Sequence, residues 1–234
     1  DQSFWGHGIP SLFMTLSEQP ADGSETARAY ALLMGAAPRS GGLGWWWHTP
    51  EDTLDKLDPT FLARDAEVYL LVTQRILEDP ILPLDYRPMV ARARDMLERY
   101  EEEAKGRFDL DPVYEGLGNL SRGLNVFYRR IRSARLTPAG AGRANACIKA
   151  LGRELIPINY CRAERFDHDT TLPVPPFPGL EPMRRLGTLD PDSDQARQVR
   201  VALARARNKI CYHLRRAQSH VEAALAHLPK PRAK

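Results

Sequence analysis

Three histidines in this chain are candidates for chemistry: His7 in "WGHGIP", His48 in "GGLGWWWHTPEDTLDKLDP" and His168 in "FDHDTT". Imidazole is the side chain best suited to move a proton or bind a metal near neutral pH. Local physics reads "HTPEDT" as a helix start. Thr49 is the N-cap, Pro50 the first helical position, and Glu51 and Asp52 lie in the positively polarised first turn. That reading accounts for every residue except His48. Structural zinc takes four protein ligands and catalytic zinc three plus water, so one histidine makes no site by itself. His7 and His168 read as surface or hydrogen-bonded histidines. Cys147, Cys161 and Cys211 are an odd number without C-x-x-C spacing. They read as buried free thiols, with neither a disulfide framework nor a zinc ribbon.

The elements that must position these groups follow from pattern. "GIPSLFMTL", Gly8 to Leu16, is a short apolar run behind glycine and proline and predicts a buried strand. The Gly-, Ser-, Ala- and Pro-rich stretch after it predicts a surface loop, with a short helix around Ala27 to Met34. Asp58 then caps a helix with Pro59 in first position. Phe61, Leu62, Tyr69, Val72 and Ile76 form its apolar face, and Pro80 stops it. "DPILPLDYRP" is a proline-punctuated crossover. Helices follow over Arg87 to Ala104, Pro112 to Ala134 and Ala139 to Leu155.

Between Cys161 and Arg185 five prolines forbid a continuous helix or a central strand, which predicts a long extended, ordered or lid-like loop. The last element is a long helix behind the capping residues of "DPDSDQARQ". Its seam is Val199, Leu203, Ala206, Ile210, Leu214, Ala217, Val221, Ala224 and Leu228. Arg197, Arg200, Arg205, Arg207, Arg215 and Arg216 lie off the seam and are expected to face water.

Composition narrows the function classes. Basic residues number 33 against 30 acidic ones, a formal net charge of +3, and the two signs are mixed along the chain. No sustained basic stripe exists, which argues against nucleic acid as a partner. The densest run, Arg129, Arg130, Arg132 and Arg135, reads as a solvated or partner-facing helix side. No apolar run approaches the roughly 18 residues of a membrane span. The chain opens on Asp1 with neither an initiator methionine nor a signal-peptide pattern, so it is expected to begin inside a longer protein. Its compartment is not readable. A secreted, periplasmic or membrane-anchored location would require a signal ahead of Asp1.

Taken together, "DQSFWGHGIPSLF" and the later "WWWHTPEDTLDKLDP" resemble the closing part of the catalytic domain in the di-zinc aminopeptidase and glutamate carboxypeptidase family. There an Asp-containing turn leads through an aromatic residue to Gly-Ile-Pro and a strand. A histidine preceded by aromatics and followed by T-x-x-D-T supplies the last zinc ligand. The remainder, from "ILPLDYRPMVARA" through "FDHDTTLPVPPFPGLEP" to the last helix, resembles the helical domain of the glutamate carboxypeptidase and transferrin receptor branch. The implied fold is mostly α. The end of an α/β zinc-exopeptidase domain, one or two strands and a helix over 1–80, precedes a helical, dimerisation-type domain over 81–234 with a proline-rich loop at 161–185.

The resemblance implies a zinc metallopeptidase, aminopeptidase or carboxypeptidase, with two zinc ions, a peptide substrate and a homodimer. His48 would be a metal ligand. Asp52, Asp1, Trp47, Asp167 and His168 would be second-shell or substrate-rim residues, with Asp169 beside them. The family's other ligands and its general-base glutamate lie upstream of the Asp1 position. This chain would therefore need an N-terminal catalytic half and would be inactive alone. The arginines and the Lys-Tyr pair that read acidic substrates in the glutamate-specific members have no counterparts in "SLFMTLSEQ" or "FDHDTTLPVPPFPG". A neutral or apolar substrate residue is expected instead. Phe4, Trp5, Trp45, Trp46 and Trp47 would line its pocket or pack in the core. The alternative is a non-catalytic, transferrin-receptor-like interaction module.

Overall fold

The computed structural model describes residues 2–11, 46–133, 136–167 and 174–229, with single positions at Leu16, Gly23, Glu25, Arg28 and Ala29. The chain forms two compact units. One comprises residues 1–11, 80–169 and 174–234, and the other residues 12–79 and 170–173. Six α-helices fall among the described residues: α1 Pro59–Glu78, α2 Arg87–Ala104, α3 Asp111–Ser133, α4 Pro138–Tyr160, α5 Pro182–Leu186 and α6 Asp194–His227. No strand is found among them. Gln2–His7 is a 3-10 turn, and Gly8 to Ser11 carry no regular structure. The rest of the expected strand, apart from Leu16, lies outside the described residues, as does most of the expected helix at 27–34.

The helical unit is built around α6. Ser193 caps it, its hydroxyl accepting from the Ala196 N–H at 3.1 Å. Its seam is buried as the three- and four-residue spacing requires, with Ala206 only partly covered. α3 and α4 pack along its length, α2 lies against α3, and the short α5 bridges α2 and α6. The core of this unit includes Leu97, Tyr100, Leu120, Leu124, Phe127, Ile148, Leu151 and Leu155, all almost fully buried.

α4 runs past its expected end at Leu155, through Pro157 to Tyr160. An interior proline removes one backbone donor. Burial of Ile156, Ile158 and Asn159 accompanies the extra turn and offsets that cost. The crossover before α2 has no ladder to satisfy its backbone, and side chains do so instead. Asn145 accepts from the Leu82 N–H at 2.8 Å and donates to the Pro80 carbonyl at 2.9 Å. The Tyr128 hydroxyl donates to the Leu84 carbonyl at 2.9 Å.

The described parts of the proline-rich segment, residues 161–167 and 174–185, are anchored to the helical unit. Beyond residue 173, Pro178–Leu180 forms a 3-10 turn that leads into α5. Phe177, Leu180, Met183 and Leu186 are buried in the core. Arg162 grips Glu181 with two bonds of 2.9 Å. Part of the basic run at the end of α3 also bonds within the fold. Arg130 donates to the Leu225 carbonyl at 2.9 Å, and Arg132 reaches Asp85 at 3.1 Å. Cys147 and Cys211 are buried free thiols, whereas Cys161 is half-buried. Burial pushes the Cys147 thiol up to about 12, which leaves it unionised and inert.

The other unit contains α1, capped as expected. The Asp58 carboxylate accepts from Thr60 N–H at 2.7 Å and Phe61 N–H at 3.3 Å, with Pro59 in first position. Its apolar face has the helical period, yet no residue of α1 is buried. Phe61, Leu62, Tyr69 and Ile76 are all exposed. Among the described residues no helix is long and apolar enough to cross a membrane.

Candidate functional site

His48 sits in a chain of tight turns, not at a helix start. Thr49 forms a side-chain turn: its hydroxyl donates to the Trp46 carbonyl at 2.7 Å and accepts from the Glu51 N–H at 3.2 Å. The Thr49 N–H also reaches the Trp46 carbonyl, and the Asp52 N–H the Thr49 carbonyl, at 3.0 and 3.1 Å. The Thr49 oxygen makes the bond of an N-cap, yet the backbone after Pro50 continues in turns rather than as a helix. Only a 3-10 turn, Leu54–Lys56, forms before Asp58 starts α1.

These turns force His48 into the left-handed region, with φ of 62°. A non-glycine residue there carries strain of about 1–2 kcal/mol, which the surrounding hydrogen bonds sustain. The His48 ring stacks on Trp47 at 3.8 Å between centroids and 23° between planes. Trp47 is half-buried while His48 is exposed. The imidazole is thus held by its backbone and by one aromatic face, with its edge open to solvent. As a zinc donor it fits, but as one donor only. Among the described residues no group of three or more His, Cys, Asp or Glu side chains is placed to hold a metal.

The other described residues named from sequence fall in both units. Asp52 is exposed four residues on, in the same unit. Asp167 is exposed in the helical unit, its N–H donating to the Glu164 carbonyl at 3.0 Å. Asp1, His168, Asp169 and Trp45 lie outside the described residues. Trp5 packs in the helical unit, its ring 5.4 Å from Tyr160 and its indole N–H on the Ser11 hydroxyl at 2.7 Å. Phe4 is exposed.

A second polar cluster has no counterpart in the sequence reading. Glu154 of α4 is buried at 6% exposure, against α6. His213 Nδ1 lies 2.8 Å from one of its oxygens and Arg216 Nε 2.8 Å from the other, with His220 Nε2 at 3.5 Å. Burial alone would push the Glu154 carboxyl up. The hydrogen bonds from Arg216 and His213, and their charges, outweigh it and hold the group below its ordinary value. Arg216 therefore does not simply face water, and neither does Arg207, which bonds Asp109 at 3.2 Å. The available signal was a carboxylate inside the apolar run "ALGRELIPI", with His213, Arg216 and His220 at three- and four-residue steps on the facing helix.

Comparison with protein-family models, curated proteins and solved structures finds no match for this chain.

Proposed function

We propose that the chain is the C-terminal part of a zinc-dependent exopeptidase in which His48 supplies one metal ligand, the other ligands and the general base coming from residues outside this sequence. The observation that carries this reading is the His48 turn. A strained left-handed histidine, stacked on Trp47 and open at its ring edge, is an arrangement a folded chain sustains when the imidazole must point in one direction. When bound, zinc supplies Lewis-acid chemistry for amide hydrolysis. His48 occupies one coordination position, Trp47 fixes its ring plane, and the Thr49 hydroxyl holds the turn that carries both. Asp52 stands near the turn as a candidate outer-shell carboxylate. The helical unit serves as the dimerisation domain, and the preferred substrate residue is neutral or apolar.

A second reading, a non-catalytic interaction module, is favoured by the exposed apolar face of α1. One experiment separates the two. Bound zinc and hydrolysis of peptides with neutral or apolar terminal residues are measured on the full-length natural polypeptide containing these residues, with and without His48→Gln. The peptidase reading expects zinc in the parent protein, weaker metal retention in the variant, and activity reduced roughly a hundredfold or more. A parent protein free of zinc and of peptidase activity refutes it in favour of the module.

A further inference from the structure

The helical unit contains a cleft of about 400 Å³ where the N-terminal turn meets α4, α6 and the segment after Cys161. That volume suits a small ligand rather than a macromolecular segment. At about 30 Å³ per water it equals roughly a dozen waters, and small-molecule sites begin near 300 Å³.

Its charges do not balance. Arg153, Arg165, Lys209 and Arg216 line it against two carboxylates, Glu154 and Glu164. Glu154 is occupied by Arg216 and His213, and Glu164 pairs with Lys209 at 2.7 Å. Arg153 and Arg165 are left without a carboxylate partner among the described residues. A guanidinium stays charged and offers a planar fork of donors matched to phosphate or carboxylate.

Both arginines are solvent-accessible at the cleft, the first on a closely packed stretch of backbone and the second beside an aromatic ring and His7. Arg153 sits where the backbone of Gly8 closes on α4, so tightly that a Cβ on Gly8 would lie 2.2 Å from the Arg153 Cα. Arg165 stacks over the Phe166 ring at 5.6 Å, and its Nε lies 3.5 Å from His7 Nδ1. His7, whose side chain the zinc reading left without a role, is part of the cleft wall.

We propose that this cleft binds a small oxyanion, the phosphate or carboxylate group of a low-molecular-weight ligand, on Arg153 and Arg165. The proposal lies wholly within the helical unit and is independent of the reading of His48. The test is isothermal titration of the 234-residue chain with inorganic phosphate and, separately, with succinate, at matched ionic strength in chloride. Saturable one-site binding of at least one probe is expected, and the tighter probe assigns the ligand to the phosphoryl or the carboxylate class.

Arg153→Gln and Arg165→Gln should each weaken binding roughly tenfold or more, from the loss of a charge-assisted bond. Glu164→Gln, which frees Lys209, should tighten it a few-fold. Neither arginine anchors the core, so far-ultraviolet dichroism and the thermal midpoint should be unchanged in the variants. Failure of both probes to saturate overturns the proposal. So does a folded Arg153→Gln, Arg165→Gln double variant that binds like the parent.

Discussion

Gly8, the glycine of the "GIP" turn, offers the sharpest test of how the N-terminal segment is held. It is buried with φ of +74°, and its N–H closes a turn on the Trp5 carbonyl at 2.9 Å. In Gly8→Ala the new methyl would lie 2.2 Å from the Arg153 Cα and 2.7 Å from both the Arg153 nitrogen and the Gly152 carbonyl oxygen. Carbon atoms rest at about 3.5–4.0 Å, and every obstacle here is backbone, so no side-chain rotation relieves the overlap. The left-handed conformation alone costs an alanine about 1–2 kcal/mol, and overpacking adds about 1–3 kcal/mol.

Against this stands the docking of the segment, whose main apolar contact is the partly buried Trp5 against Tyr160 and the core. Partial burial of one large aromatic with its ring contact is worth about 2–3 kcal/mol. The two magnitudes are comparable, so residues 2–11 should lift from α4 while the bundle stays folded. Two signals should report this: the Trp5 indole N–H resonance moves as its bond to Ser11 breaks, and amide protection across the segment is lost. Urea unfolding of the helical unit should fall by no more than about 3 kcal/mol. An unchanged Trp5 resonance with unchanged stability would refute the reasoning, because it would mean the close approach of Gly8 to α4 does not exist in solution.

Glu154→Gln should destabilise the bundle by about 2 kcal/mol in urea titration, because the carboxylate charge that pairs with Arg216 across α4 and α6 is lost. The pH dependence has a definite sign. Because the folded carboxyl titrates below its ordinary value, its contribution is present above about 4.5 and is lost as pH falls through the lowered folded value. The parent should therefore lose stability over that acid window more steeply than the variant, and parallel acid limbs would contradict the cluster. Asp58→Ala removes the acceptor of two α1 amides and should cost that helix about 1 kcal/mol, read as faster amide exchange over residues 59–62. Leu151→Ala, at a fully buried position in α4, should lower the stability of the helical unit by about 2–5 kcal/mol, and a change below 1 kcal/mol would put Leu151 outside the core.

The local rules of helix formation were readable from residue order. The cap and first-position pair Asp58–Pro59, the limits of α2, and the seam of α6 depend on neighbours three or four positions away, and such signals survive without any tertiary context. The chemistry of His48 was legible only as a residue type within a motif. Its left-handed backbone and its stacking on Trp47 depend on where the Thr49 hydroxyl spends its hydrogen bonds, and turn and N-cap use the same atoms.

Other features only the tertiary structure could decide. α4 continues through Pro157 because the core compensates for the lost donor. Residues 174–185 of the proline-rich segment are pinned by Phe177 and Leu180. Glu154 meets His213 and Arg216 across some sixty positions of sequence. The cleft of Arg153 and Arg165 likewise joins the two ends of the helical unit's chain path through His7. Sequence periodicity specifies which face of a helix turns inward. Which charges meet there is set by the packing of helices whose contacts are remote along the chain, and that information is carried by no single segment.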